Sequence, residues 1–124
     1  MLIRRTARQE ALGASGLRKG DHIIDPRTGA PARGRRAAWV AVPRPDAARA
    51  KTRTGEGPRL APAAVADALT TACLLLSLDE IEALCGGTPG VEAWILPEPD
   101  DSRPREPDLL HVGGSGTGYT STLK

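Results

Sequence analysis

Apolar residues recur with helical spacing in the middle of the chain. A stripe with spacings of four, four and three residues predicts a helix that buries one face. Its members are Val65, Leu69, Cys73 and Leu76. Pro62 suits the first turn of this helix, where a backbone N–H is not needed.

A second helix is predicted directly after the first. Ser77 and Glu80 fit a capping box, in which each side chain accepts a hydrogen bond from the backbone N–H of the other. A short apolar face follows, made of Ile81, Leu84 and Cys85. Gly86 and Gly87 are expected to end the helix as C-cap residues.

Short apolar runs bounded by proline and glycine predict strands on both sides of the helices. The predicted strands are residues 22–24, 39–42, 91–96 and 109–112. The first runs into a rigid turn at 25–29, and Pro43 and Pro97 stop the next two. Two helices among short strands predict an α+β fold with a small mixed sheet.

Length and composition restrict the possible classes. With 124 residues the chain is one domain or a piece of one, and its core is thin because it contains no Phe, one Tyr and two Trp. It has no run of about 18 apolar residues, so no membrane span is expected. Its first residues show no apolar stretch of signal-peptide length. Two Cys do not make a disulfide scaffold.

Charge is distributed unevenly along the chain. Residues 1–60 carry 14 Lys and Arg against 5 Asp and Glu, whereas residues 61–124 carry 3 against 10. Either the two halves attract each other within one fold, or the basic half binds a polyanion.

Two places combine residues that carry chemistry. His22 lies between Asp21 and Asp25 at the start of an apolar run, where an imidazole can take a proton near neutral pH. The alternative is a half-buried structural histidine. Asp67 and Thr71 lie one turn apart on the predicted helix and offer hard oxygen donors suited to Mg²⁺. The alternative is a solvated carboxylate beside a hydroxyl that bonds its own helix.

Other features favour structural interpretations. The glycine-rich residues 113–118 are followed by no helix, so a flexible tail is expected rather than a phosphate loop. The Arg-rich stretch 27–59 could contact phosphates, but stacking aromatics are nearly missing, so a solvated loop is favoured and no nucleic acid is expected. His111 is interpreted as structural, and Cys73 and Cys85 as core residues.

Four segments, in this order, resemble the C-terminal part of the FAD:protein FMN transferases, also called ApbE-type or thiamine-biosynthesis lipoproteins. They are GASG at 13–16, HIIDPRTGAP at 22–31, VADALTTA at 65–72 and PGVEAWIL at 89–96. The resemblance covers about residues 10–119. It implies a Mg²⁺-dependent reaction in which FAD is split, FMN is attached to a Thr or Ser of a target flavoprotein, and AMP leaves.

The resemblance also implies roles for individual residues. His22 would be the base for the acceptor hydroxyl, Ile24 would contact the FAD, and Asp67 and Thr71 would be the metal ligands. Residues 1–112 would form a partial transferase domain with an insertion near 46–61, and residues 113–124 a flexible Gly/Ser/Thr-rich tail.

The family's N-terminal portion has no counterpart here, so the resemblance implies a short or fragmentary member, either a fragment or a chain that needs a complementary N-terminal half. Members of the family are often periplasmic or membrane-anchored. The other hypothesis that the sequence leaves open is a non-catalytic remnant that binds an anion or a partner through its basic half.

Overall fold

A computed structural model of the chain describes residues 9–44, 61–102, 108–114 and the backbone of 118–119. Along the chain, two strands come first, two helices follow, and three strands complete the fold. The elements are β1 (Glu10–Gly16), β2 (Arg35–Pro43), α1 (Pro62–Cys73), α2 (Leu78–Gly87), β3 (Glu92–Pro97), β4 (Leu110–Gly113) and β5 (Gly118–Tyr119).

The strands form one sheet in the order β1-β2-β3-β4-β5. Each described pair is antiparallel, so the prediction of a mixed sheet is wrong, whereas the α+β class with two helices is confirmed. The physical reason lies in the connection from β2 to β3, whose described residues form two helices. A single crossover helix typically returns the chain for a parallel strand. Here β3 starts at the end of the sheet where β2 finishes, since Ala41 pairs with Glu92.

Both helices cover the same face of the sheet. α1 packs mainly against β1 and β2, and α2 packs against β3 and β4. Alternate strand residues point toward the helices and form the core. The largest fully buried side chains are Ile81, Ile95, Val40, Val91, Thr70 and Cys73. The core is therefore one thin layer between helices and sheet, as the scarcity of aromatic residues predicts.

Local sequence signals predicted the helices well. The capping box is confirmed, since the Ser77 N–H donates to Glu80 Oε2 (2.7 Å) and the Glu80 N–H donates to Ser77 Oγ (3.2 Å). Gly86 and Gly87 were expected to cap α2, but both lie inside it, and Thr88 is the C-cap.

The strand predictions are partly wrong. Residues 22–24 form no strand, because Ile24 makes only an isolated bridge to Pro31 within a long excursion between β1 and β2. The predicted insertion at 46–61 lies, apart from Ala61, outside the described residues. Within the predicted tail 113–124, Gly113 ends β4 and the 118–119 backbone pairs with β4, while most of the remaining residues lie outside the described part.

Candidate functional site

The candidate site lies where α1 crosses β1. The two backbones approach closely at Gly13, because a Cβ placed there would lie only 2.7 Å from the Ala66 carbonyl oxygen. Such a distance leaves no room for a side chain, so glycine at this position permits the contact. The close approach brings the middle of α1 within reach of the short side chain of Ser15 on the same face of β1.

Three hydroxyl groups form a chain at this crossing. Thr70 is fully buried, and its hydroxyl donates to the Asp67 carbonyl oxygen at 2.7 Å. Thr70 Oγ1 has thereby used its only proton, so at 2.7 Å it accepts the proton of the Ser15 hydroxyl. Ser15 Oγ in turn lies 3.3 Å from Thr71 Oγ1 and can only accept there. The Thr71 proton is therefore directed at Ser15, and no described residue donates a hydrogen bond to the Thr71 oxygen.

Asp67 lies one turn before Thr71 on α1, as predicted from their spacing. Its side chain is exposed, whereas Thr71 is half-buried, so the carboxylate does not carry the desolvation cost of a buried charge. The expected alternative for Thr71, a hydroxyl bonded to its own helix carbonyl, is instead the state of its neighbour Thr70. An exposed carboxylate and an open hydroxyl oxygen are thus neighbours on one helix.

His22 is exposed, and its imidazole is oriented by its own loop. Its Nδ1 lies 2.9 Å from the Gly20 carbonyl oxygen. A carbonyl can only accept a hydrogen bond, so Nδ1 carries the proton and Nε2 of the neutral ring has a free lone pair. Within the described residues, no hydrogen bond or ion pair joins His22 to Asp67 or Thr71.

The loop that carries His22 is attached to α1 on one side and to the turn that follows α1 on the other. Before it, Ser15 contacts Thr70 and Thr71 on α1. After it, Arg27 donates through Nη2 to the Leu75 carbonyl oxygen at 2.7 Å, one turn beyond Thr71. His22 therefore belongs to a segment whose two ends are fixed near the C-terminal half of α1.

The turn after His22 is held by an ion pair. Arg27 binds the Asp25 carboxylate through Nε (3.0 Å) and Nη2 (2.9 Å), and its backbone N–H donates to the same carboxylate. These hydrogen bonds lower the pKa of Asp25 and keep it ionised. Ile24, just before this turn, exposes 48% of its surface although it is apolar. It is thus available for contact with a ligand.

Arg35 supports the end of α1, a role that the sequence did not indicate. Its Nη1 donates to the carbonyl oxygens of Cys73 and Leu76, which have no helical partner. The pairing of β2 with β3 shifts register between Arg35 and Ala37, as in a β-bulge. Ala38 is buried against the helices, and strict alternation of side chains along β2 would point Arg36 to the same face of the sheet. Because of the bulge, the Arg35 side chain points to that face instead. Burial lowers the pKa of Arg35.

Arginines from the basic half line a cavity of about 410 Å³ between the loop and the junction of the helices. They are Arg27, Arg33 and Arg35. Each has an intramolecular partner: Arg27 binds Asp25, Arg33 binds Asp21 at 2.5 Å, and Arg35 binds the carbonyl oxygen at the end of α1. Glu80 also lines the cavity, so the positive charge of its wall is largely neutralised. The basic residues of the predicted insertion at 46–61 lie outside the described part.

His111 packs on the other face of the sheet. Its Nε2 lies 2.9 Å from Glu92 Oε2, and its ring stacks on Trp94 with centroids 4.9 Å apart. The side chains of His111 and Glu92 are each only 21% exposed. These contacts agree with a structural histidine, and they tie β3 to β4.

The described residues contain neither a cluster of metal ligands nor a membrane-spanning helix. No group of three or more His, Cys, Asp or Glu side chains there could hold a metal ion. Among the same residues, no helix has both the length and the apolar character that crossing a membrane requires.

Comparison of the chain with protein-family models, with curated proteins and with solved structures finds no significant match.

Proposed function

We propose that this chain carries the catalytic segment of a Mg²⁺-dependent flavin transferase, which moves FMN from FAD to a Thr or Ser hydroxyl of a target flavoprotein. The reaction is the one that the resemblance of residues 13–16, 22–31, 65–72 and 89–96 to the FAD:protein FMN transferases implies. The structural observation that supports it is the hydroxyl chain from Thr71 through Ser15 to Thr70. This hydroxyl chain directs the Thr71 proton at Ser15, so the Thr71 oxygen can offer a lone pair to a cation one helical turn from the exposed Asp67 carboxylate. A helix surface with only a structural role does not need this arrangement.

The donor set fits a magnesium ion. Mg²⁺ prefers hard oxygen ligands and is usually held by one or two carboxylates, several waters and the phosphates of a substrate. Asp67 and Thr71 supply a carboxylate and a neutral oxygen, and Ser15 positions the second of them. When bound, the ion would neutralise charge on the phosphates of FAD during transfer.

His22 is the proposed base. Its Nδ1–H is held by the Gly20 carbonyl, so Nε2 can accept the proton of the acceptor hydroxyl. The hydroxyl oxygen then forms a bond to the phosphorus of the FMN moiety. The bond from that phosphorus to the bridging pyrophosphate oxygen breaks, and AMP leaves with this oxygen. Ile24, two residues on, offers an exposed apolar side chain for contact with the FAD.

A role as a basic module that binds an anion or a partner is less well supported. The three arginines around the cavity already bind carboxylates or helix carbonyls within the chain. Such a module would also have no use for the Asp67 and Thr71 pair. It predicts instead binding to a polyanion that weakens steeply with added salt.

The test is a flavin-transfer assay. The chain, alone and with the N-terminal half of a flavin transferase, is mixed with FAD, Mg²⁺ and a flavoprotein that carries the acceptor Thr, and covalent flavin is detected by fluorescence after denaturation. His22→Ala should abolish transfer without weakening metal binding. Asp67→Ala should raise the Mg²⁺ concentration that transfer requires, whereas Glu82→Gln, which alters an exposed carboxylate on α2, should not. If no flavin is attached even with the complementary half, the catalytic proposal fails.

A further inference from the structure

Arg27 joins the turn after His22 to the turn between the two helices. The Asp25 carboxylate accepts from Nε and from Nη2 of Arg27, at 3.0 Å and 2.9 Å, so it holds one edge of the planar guanidinium. The second proton of Nη2 therefore has a fixed direction, and it is donated to the Leu75 carbonyl oxygen at 2.7 Å. One guanidinium thus connects a carboxylate of its own loop with a carbonyl 48 residues further along the chain.

The other arginine–aspartate pair of this loop makes no such connection. Arg33 binds both oxygens of the Asp21 carboxylate, at 2.5 Å and 2.9 Å, and its further hydrogen bond goes to the Ala32 carbonyl oxygen. All of these contacts stay within the excursion between β1 and β2. An exposed ion pair contributes little to stability, so the bond to Leu75 is the feature that distinguishes Arg27.

His22 lies between two fixed points of its loop. The side chain of the next residue, Ile23, packs against the core, and Arg27 fixes the turn that follows. The imidazole is exposed, and the one hydrogen bond of its ring goes to the Gly20 carbonyl oxygen within the same loop. The loop backbone therefore sets the position of the ring relative to α1. Because Ile23 would still hold the loop, loss of Arg27 should displace the turn without unfolding it.

We propose that Arg27 is a positioning residue, which holds His22 in place relative to Asp67 and Thr71 through its bond to Leu75. The bond reaches the right part of the molecule, since Leu75 lies one helical turn beyond Thr71 and directly after the end of α1. This inference rests on the proposed transfer reaction and adds to it a residue that touches neither the metal ligands nor the imidazole. A displaced base would act poorly on an acceptor hydroxyl that the rest of the site still binds.

The kinetic test measures flavin transfer by the chain with the complementary N-terminal half. In Arg27→Ala, kcat should fall about 100-fold, which is the loss that a displacement of about 1 Å can cause. The Mg²⁺ concentration for half-maximal rate should stay unchanged, because Arg27 contacts neither metal ligand. Arg18→Ala is the matched control and should keep the wild-type kcat, since Arg18 is exposed on the same loop and its side chain has no hydrogen bond or ion pair with the described residues.

Rescue separates the geometry of the guanidinium from its charge. Arg27→Lys keeps the positive charge but lacks the planar fork that binds the Asp25 carboxylate and the Leu75 carbonyl together, so its kcat should stay low. Guanidinium chloride at a concentration that leaves the protein folded should restore part of the kcat of Arg27→Ala. It should restore none to His22→Ala, which lacks the base.

A distance measurement tests the same role without any activity. A nitroxide label on Asp67→Cys broadens the NMR signals of nearby amides, and it attaches at this exposed position because the native thiols are buried. Adding Arg27→Ala should change the broadening at residues 22–24 and leave it unchanged in β1. Circular dichroism checks that each variant is folded.

The two measurements separate this inference from the transfer reaction. If the wild type attaches no flavin, the reaction fails, and the broadening still shows whether Arg27 sets the position of His22. Equal broadening at residues 22–24 with and without Arg27 would overturn the positioning role. So would an Arg18→Ala variant whose kcat falls as far as that of Arg27→Ala, or an Arg27→Ala variant that only needs more Mg²⁺.

Discussion

Replacing Gly13 by alanine tests the close approach of α1 to β1 on which the candidate site depends. The added Cβ would lie 2.7 Å from the carbonyl oxygen and 2.8 Å from the carbonyl carbon of Ala66, and 3.1 Å from the backbone nitrogen of Asp67. All three are helix backbone atoms, so no side-chain rotation can relieve the overlap. α1 must move away from β1 by several tenths of an ångström, since carbon contacts are optimal only at about 3.5–4.0 Å.

The expected cost follows from two opposing effects. Overpacking of a well-packed contact destabilises a protein by about 1–3 kcal/mol. Replacing glycine by alanine within a strand returns about 0.5–1 kcal/mol through the lower entropy of the unfolded chain. We therefore expect Gly13→Ala to lose about 1–2 kcal/mol net, which corresponds to a fall in Tm of roughly 4–8 °C for a chain of this size.

The free energy of unfolding is measured by urea denaturation followed by circular dichroism. Gly86→Ala is the matched control, because Gly86 lies in α2 and no atom lies within 4 Å of its added Cβ. This control should be more stable than the wild type by about 0.5–1 kcal/mol, as expected for a helical Gly-to-Ala change. If Gly13→Ala were as stable as Gly86→Ala, the close contact between α1 and β1 would be refuted.

Three further expectations concern the contact of Arg35 with the end of α1, the ionised carboxylate of Asp25, and the buried thiols of Cys73 and Cys85. Arg35→Ala should lower the free energy of unfolding by about 1.5–3 kcal/mol in urea melts, whereas exposed Arg36→Ala should change it little; equal losses would contradict the cap. The pKa of Asp25 is lowered in the fold, so the stabilisation that its carboxylate provides is complete above the unfolded pKa of about 4 and is lost as the pH falls below it. The free energy of unfolding of Asp25→Asn should therefore fall less than that of the wild type between neutral and acid pH. Parallel curves of unfolding free energy against pH for the two proteins would contradict a stabilising role of the Asp25 carboxylate. Burial raises the pKa of Cys73 to about 11 and also that of Cys85, so neither thiol should react with Ellman's reagent until urea unfolds the chain, and a thiol that reacts in the native state would contradict their burial.

The helices could be predicted from the sequence because their signals are local. The capping box of α2 lies within the four residues that begin at Ser77, and it forms as the side chains alone require. The spacing of apolar residues likewise predicts α1, but it does not identify the fully buried face. The buried residues of α1 are Ala66, Thr70 and Cys73, whereas Val65 and Leu69 are half-buried and Leu76 follows the helix. No contact distant in sequence is needed for either element.

The first strand and the loop after it could not be predicted in this way. β1 consists mainly of small residues, so it shows little of the alternation between large apolar and polar residues that marks a strand. The apolar run at 22–24 is bounded by polar residues, but among the described residues it makes only the isolated bridge from Ile24 to Pro31. The Ala32 N–H donates to the Ile23 carbonyl, and Arg27 ties the turn to the Leu75 carbonyl just after α1, so contacts outside the run itself decide its conformation.

The candidate metal ligands show the same division between local and distant information. The positions of Asp67 and Thr71 on one helix follow from their spacing, but the direction of the Thr71 proton does not. It depends on Ser15, which reaches α1 only because Gly13, two residues earlier on the same face of β1, lets the backbones touch. The small residues of β1 give it only a weak strand pattern, and two of them, Gly13 and Ser15, orient the Thr71 hydroxyl. Their lack of bulk, which weakens the strand signal, is what allows a helix hydroxyl to be oriented from a neighbouring strand.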